Sequence, residues 1–153
     1  MNYACAMAIG AVSGLRSMVG PAIISQAAGN KVVDVRHTPL AWMSSNKTIR
    51  TTAILAAAEM VADKLPFMPS RTKKPALLGR FVTGALCGAA VSRTRKHEDR
   101  IIGALVGGGA AVVAAYLGME YRKHTGLPRL GAAVVEDAVA LTAGSAVVSA
   151  LCA

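Results

Sequence analysis

The chain has 153 residues, of which 54% are hydrophobic, 16% are charged and 4% are aromatic, and its formal net charge is +9. Ordinary soluble domains are about 45–50% apolar and about 25% charged, so this composition disfavours a water-soluble domain and predicts one transmembrane helical domain over residues 1–153. The basic residues stand in short clusters between apolar runs, a pattern that excludes a nucleic-acid patch and is typical of membrane edges facing anionic head groups.

The first predicted helix covers residues 4–29. Its first charged residue is Arg16, in the middle of the apolar run, so the basic segment that begins a cleavable signal is missing and we expect a retained helix. Pro21 removes one backbone hydrogen bond from this helix, and a kink is expected there.

Residues 30–48 connect the first helix to the second. Thr38-Pro39 has the pattern of a helix N-cap followed by proline at the first helical position. One interpretation is a short interfacial helix with Trp42 at the depth of the head groups, and the alternative is a plain loop.

The second predicted helix, residues 51–65, is short and carries Glu59 and Asp63. A run of this length is either a short span or a re-entrant segment. Glu59 and Asp63 are four residues apart and therefore share one face of the helix.

Three further helices are predicted, at residues 75–92, 101–119 and 130–153. The middle one has 19 residues without a charge, a length of about 28 Å that matches the roughly 30 Å of bilayer hydrocarbon. The other two carry charges, Arg80 in the first and Glu136-Asp137 in the second. The predicted fold is thus an all-α bundle of about five helices, four of them full spans.

Small residues recur at a spacing of four in four of these helices. This spacing lets neighbouring helices approach closely, so it predicts a tightly packed bundle and leaves room for homo-oligomer contacts. The glycines expected at helix contacts are Gly10, Gly14, Gly84, Gly88, Gly103 and Gly107, and Ser145 and Ser149 share a face of the last helix.

An internal repeat is one interpretation of the charge order, because an Arg-bearing helix precedes an acid-bearing helix twice. Chance similarity between Ala-rich segments is the alternative. Loop charges do not orient the protein: eight Lys and Arg fall on one side and seven on the other. Either the chain inserts in both orientations, or the second helix is not a full crossing, which we prefer.

Six ionisable residues lie inside the predicted spans, where charge is expensive and where side chains face the bundle interior and pair. Four acids face two arginines, and an excess of carboxylates would take up protons or bind a cation. The alternative is that the acids lie near helix ends or form purely structural ion pairs. This predicted polar centre consists of Arg16, Glu59, Asp63, Arg80, Glu136 and Asp137.

No enzymatic motif is present. The three histidines lie in loops without metal-ligand spacing, and the three cysteines lie in apolar runs. We therefore expect no catalytic residues, no metal site and no cofactor.

Three short segments resemble a family of small bacterial integral membrane proteins of unknown function. They are Gly14-Leu-Arg16-Ser17 with Pro21, residues 58–66 (AEMVADKLP), and Arg80 with the small-residue run after it. The resemblance implies a helical membrane fold and an unassigned activity. It also makes Arg16, Glu59 and Asp63 stronger candidates than their neighbours.

Two functions fit these features. The first is a small proton- or cation-linked transporter or channel in the cell membrane, with bacterial inner membrane as the expected location and the Arg/Glu/Asp centre as its site. The second is a structural or accessory membrane subunit, in which the glycine faces bind other helices and the buried charges only hold the fold. In both, the basic clusters contact anionic head groups.

Overall fold

The computed structural model describes residues 3–62, 64, 74–92, 97–126 and 128–152, and within these ranges all regular secondary structure is helical, with no strand. The all-α prediction is therefore confirmed. The six α-helices are α1 (Tyr3–Leu15), α2 (Val19–Gly29), α3 (Asn46–Ala62), α4 (Lys74–Val91), α5 (His97–His124) and α6 (Arg129–Cys152), and a 3-10 helix covers Ala41–Ser44.

The described residues form six α-helices where the sequence predicts five, because the first predicted helix is two. The chain leaves helical geometry after Leu15 and resumes it at Val19. Pro21 lies in the first turn of α2, where its missing N–H has no intrahelical role. The interruption is therefore a break at residues 16–18, and Pro21 follows it instead of kinking a continuous helix.

Helices α1 and α4 pack against α5 through their glycines. A Cβ added to Gly10 would overlap the backbone of Gly107, and one added to Gly88 would overlap the backbone of Gly103. Such backbone-to-backbone approach leaves no room for a side chain at these glycines. The remaining glycines named above follow the same pattern: Gly14 contacts Ala111, and Gly84 contacts Gly107 and Ala111.

Helices α2, α3 and α6 complete the bundle formed by α1, α4 and α5. Helix α6 packs on α1 and α2, and α3 packs on α2 and on the 3-10 helix. Where the sequence allows either a short helix or a loop, the chain forms this single 3-10 turn, and Trp42 in it is 51% exposed.

Within the described parts of the chain, two helices are long and apolar enough to cross a membrane, Glu98–His124 and Leu130–Leu151. Only 33% of the most apolar stretch of each is buried within the protein. Large apolar side chains such as Leu105 and Leu117 are 62% and 64% exposed on α5. The outer face of the bundle is therefore strongly apolar.

Candidate functional site

The break between α1 and α2 is held by charged side chains from two other helices. In a continuous helix the N–H of Met18 would donate to the carbonyl of Gly14. Here the N–H groups of Ser17 and Met18 donate to the two carboxylate oxygens of Glu59, at 2.9 and 2.8 Å. The carbonyl of Gly14 accepts instead from the guanidinium of Arg80. The donor and the acceptor of the lost helical hydrogen bond thus each have a new partner: the N–H binds an anion and the carbonyl binds a cation.

The signs of these charges match the helix ends that they meet. The first N–H groups of a helix carry partial positive charge and the last carbonyls carry partial negative charge. The Glu59 carboxylate meets the start of α2, and Arg80 meets the end of α1. The break therefore stabilises both charges, and both charges stabilise the break.

Arg16 lies inside the break and is fully buried. Its Nε is 2.6 Å from Oδ1 of Asp137 on α6, and its Nη2 donates to the carbonyl of Ala133 at 3.3 Å. A buried guanidinium is tolerated only when a carboxylate and further acceptors compensate for its lost hydration. Arg16 consequently ties the break to α6.

Glu136, the neighbour of Asp137, points to a different cation. Its two carboxylate oxygens accept from Nε and Nη2 of Arg122, at 2.5 and 2.7 Å. Glu136 is buried, whereas the Arg122 side chain at the end of α5 is 28% exposed. This bidentate pair joins α6 to α5, two helices that otherwise contact each other little.

These six residues form what we call the charged cluster: Arg16, Arg80, Arg122, Glu59, Glu136 and Asp137. Glu59 and Glu136 attract Arg80 electrostatically, while Arg16 and Arg122 repel it. The described part of the cluster is balanced, with three guanidinium groups and three carboxylates. Asp63 lies outside the described residues. Because Arg122 joins the cluster, counting Asp63 as well gives an excess of one carboxylate, where the sequence predicts an excess of two.

Arg122 is the member that lies outside the polar centre predicted from the sequence, because it follows an apolar run, as basic residues at a membrane edge do. The available signal was its position in the last turn of an apolar helix, 14 residues before Glu136 and across a short connection.

The described cysteines and histidines are not members of the charged cluster. Cys5 and Cys87 are buried free thiols, and His37 and His124 are exposed. The side chains of His97 and Cys152 lie outside the described residues. Within the described ranges, no group of three or more His, Cys, Asp or Glu side chains is placed to hold a metal ion.

The arrangement can couple the charge of the Glu59 side chain to the position of α2. Bonds from N–H groups to an ionised carboxylate are roughly twice as strong as those to a neutral acceptor. Protonation or displacement of the Glu59 carboxylate would thus weaken its hold on the start of α2.

Comparison with known proteins places this geometry in an uncharacterised family. No curated protein and no solved structure matches the chain. The model of a domain of unknown function (DUF4126) matches residues 3–151 and so includes the whole charged cluster. The chain therefore belongs to this family, a domain of unknown function (DUF4126).

Proposed function

We propose that the protein is a small multi-pass transporter of the cell membrane, linked to protons or cations, with the charged cluster at the helix break as its site. The observation that carries this proposal is the break itself, with Glu59 and Arg80 bound to its freed backbone groups. Discontinuous helices whose ends meet charged groups are the usual framework of substrate and ion sites in secondary transporters.

The outer surface supports the membrane placement. The core helix of a soluble protein would be mostly buried, whereas only 33% of the most apolar stretch of α5 and of α6 is buried. Soluble monomers rarely expose apolar patches of this kind. Helix α4 would add a third crossing, and the pair α1–α2 would cross as one broken span, with bacterial inner membrane as the expected location.

Coupling follows from the position of Glu59. Its carboxylate is half-buried on α3, yet its bonds fix the start of α2. A proton or cation that neutralises this carboxylate would release α2, and re-ionisation would restore the bonds. The cycle links the charge of one residue to the movement of one half-helix, which is what ion-linked transport requires.

A structural or accessory membrane subunit is the second candidate, favoured by a different observation. Arg16 pairs with Asp137 at 2.6 Å, and Arg122 pairs with Glu136 through two bonds. Charges so closely paired would serve to fasten helices together.

Glu59→Gln separates the two candidates. The variant and the wild type are reconstituted in liposomes containing a pH-sensitive dye, and fluxes of H⁺, Na⁺ and K⁺ are measured under imposed gradients. Glu120→Gln is the matched control, because that carboxylate is 55% exposed and pairs only with Lys123 and His124 among the described residues.

The transporter should lose at least tenfold of its flux in Glu59→Gln while the variant remains folded, although its weaker bonds to the break lower the thermal unfolding temperature somewhat. An accessory subunit would show lower stability and no flux in either protein. Absence of H⁺, Na⁺ and K⁺ flux in the wild type would overturn the proposal.

A further inference from the structure

A groove with a volume of about 630 Å³ lies between α2 and α6. Its apolar lining comes from Ile23 and Ala27 on α2 and from Leu141 and Val148 on α6. Volumes of 300–1,000 Å³ are typical of ligand sites in proteins. The groove begins one to two helical turns beyond the charged cluster, and no residue of that cluster lines it.

The hydroxyl groups along the α6 wall are already satisfied. Thr142 donates to the Ala138 carbonyl at 2.7 Å, and Ser149 donates to the Ser145 carbonyl at 3.1 Å. Side chains bonded to their own helix present little polarity to a ligand. This wall is accordingly suited to hydrocarbon.

The α2 wall ends in two primary amides, Gln26 and Asn30, which are exposed and four residues apart. Among the described residues, neither amide has a hydrogen-bond partner. Each offers two N–H donors. The groove is thus apolar along its length, with hydrogen-bond donors at one end.

That end lies under a basic surface. Lys31 is exposed and sits between Asn30 and Val32, which both line the groove. Gly29 contacts Ile49, which brings the start of α3 to the same place. Residues 30–50 carry the exposed basic side chains Lys31, Arg36, Lys47 and Arg50, with Asp34 as the one acid.

We propose that this groove binds an anionic phospholipid. The acyl chains lie along Ile23, Ala27, Leu141 and Val148, and the phosphate is attracted to Lys31 while the amides of Gln26 and Asn30 donate to its oxygens. A second copy of the chain fits less well, because a two-fold contact here would bring the same basic surface against itself. The inference rests on the membrane placement in the proposed function, and it does not depend on transport.

Quenching by brominated lipids tests this site. Trp42 is the single tryptophan, so Trp42→Phe gives a silent background into which Leu141→Trp is introduced. The full chain is reconstituted in phosphatidylcholine vesicles containing small fractions of brominated phosphatidylglycerol or brominated phosphatidylcholine. Leu117→Trp on the exposed face of α5 is the matched control, since Leu117 is 64% exposed and lies outside the groove lining.

At Leu141→Trp, brominated phosphatidylglycerol should quench at a several-fold lower mole fraction than brominated phosphatidylcholine, whereas both lipids should quench Leu117→Trp equally. Adding Lys31→Asn should abolish the difference at position 141. Asparagine suits this test because Lys31 has a φ of 63°, a left-handed conformation that asparagine tolerates.

Equal quenching of Leu141→Trp by the two lipids would overturn the lipid site, as would protection from both lipids in a cross-linkable dimer. Absence of quenching at Leu117→Trp would instead contradict the membrane placement itself. The two failures are therefore distinguishable.

Discussion

The backbone N–H of Met18 donates to the carboxylate of Glu59 at 2.8 Å, although the two residues lie 41 positions apart. This bond replaces the local one that a continuous helix would form, and Arg80 takes the carbonyl that is left over. The break is thus a tertiary feature, maintained by α3 and α4. It should respond to changes in either helix.

Arg80→Met should lower the free energy of unfolding in detergent by about 1–3 kcal/mol, the usual cost of leaving a buried carbonyl without its donor. Because Glu59→Gln relaxes the same break, the two substitutions should be non-additive by at least about 0.5 kcal/mol. A double-mutant cycle measures this coupling. Arg80→Met combined with the exposed Glu120→Gln should be additive, and an equally additive Glu59 cycle would contradict a shared role in the break.

Much of the helical framework could be predicted from the sequence because its signals are local. The uncharged run at residues 101–119 lies within α5. Gly10, Gly84 and Gly103, each the first of two glycines four residues apart, lie where α1, α4 and α5 pack closely. Run length and residue size act over a few turns of one helix, so they can be read before any tertiary contact is known.

The break could not be predicted in this way. Pro21 is a strong local signal that predicts a kink at its own position, whereas the chain leaves helical geometry at residues 16–18. The actual break depends on Glu59 and Arg80, which lie up to 66 residues from the groups they bind. Arg122 was missed for a related reason, because a cation at a helix end has the same sequence pattern whether it meets a head group or a buried Glu136.

Substitutions at Arg16, which is fully buried, and at its partner Asp137, whose side chain is 13% exposed, should have non-additive effects on stability. Arg16→Met or Asp137→Leu alone leaves a buried charge without this partner and should lower the free energy of unfolding by about 3–5 kcal/mol. The double variant should recover most of that loss, because two apolar side chains carry no desolvation penalty. Denaturant titration of the purified chain in detergent measures all three, and a double variant as unstable as the sum of the singles would argue against the pair.

A matched control for this pair is available at the end of α5. Lys123 and Glu120 also form an ion pair, at 3.2 Å, but both side chains are more than half exposed. Lys123→Met should change stability by less than about 1 kcal/mol, since exposed pairs are screened by water. A loss comparable to that of Arg16→Met would show that burial is not what distinguishes the two pairs.

Trp42 should report the depth of the 3-10 helix in a bilayer. It is 51% exposed on a segment rich in basic residues, and tryptophan prefers the head-group region. In vesicles, lipids brominated near the carbonyl end of the acyl chain should quench its fluorescence more than lipids brominated near the methyl end. Stronger quenching from the methyl end would place this segment inside the hydrocarbon instead.

Gly107 and Gly109 of α5 provide the sharpest test of helix packing. They lie two residues apart on one helix, and they differ in whether a neighbouring helix contacts them. A Cβ on Gly107 would lie 3.0 Å from the Cα of Gly88 and overlap the carbonyl of Gly84, whereas a Cβ on Gly109 would meet nothing within 4 Å among the described residues. Gly107→Ala should therefore force α4 away from α5 and lower the free energy of unfolding by about 1–3 kcal/mol. Gly109→Ala should raise it by up to about 1 kcal/mol, because alanine favours the helix and nothing opposes it. Thermal unfolding of the two variants side by side measures the difference, and equal effects would show that α4 and α5 do not approach through Gly107.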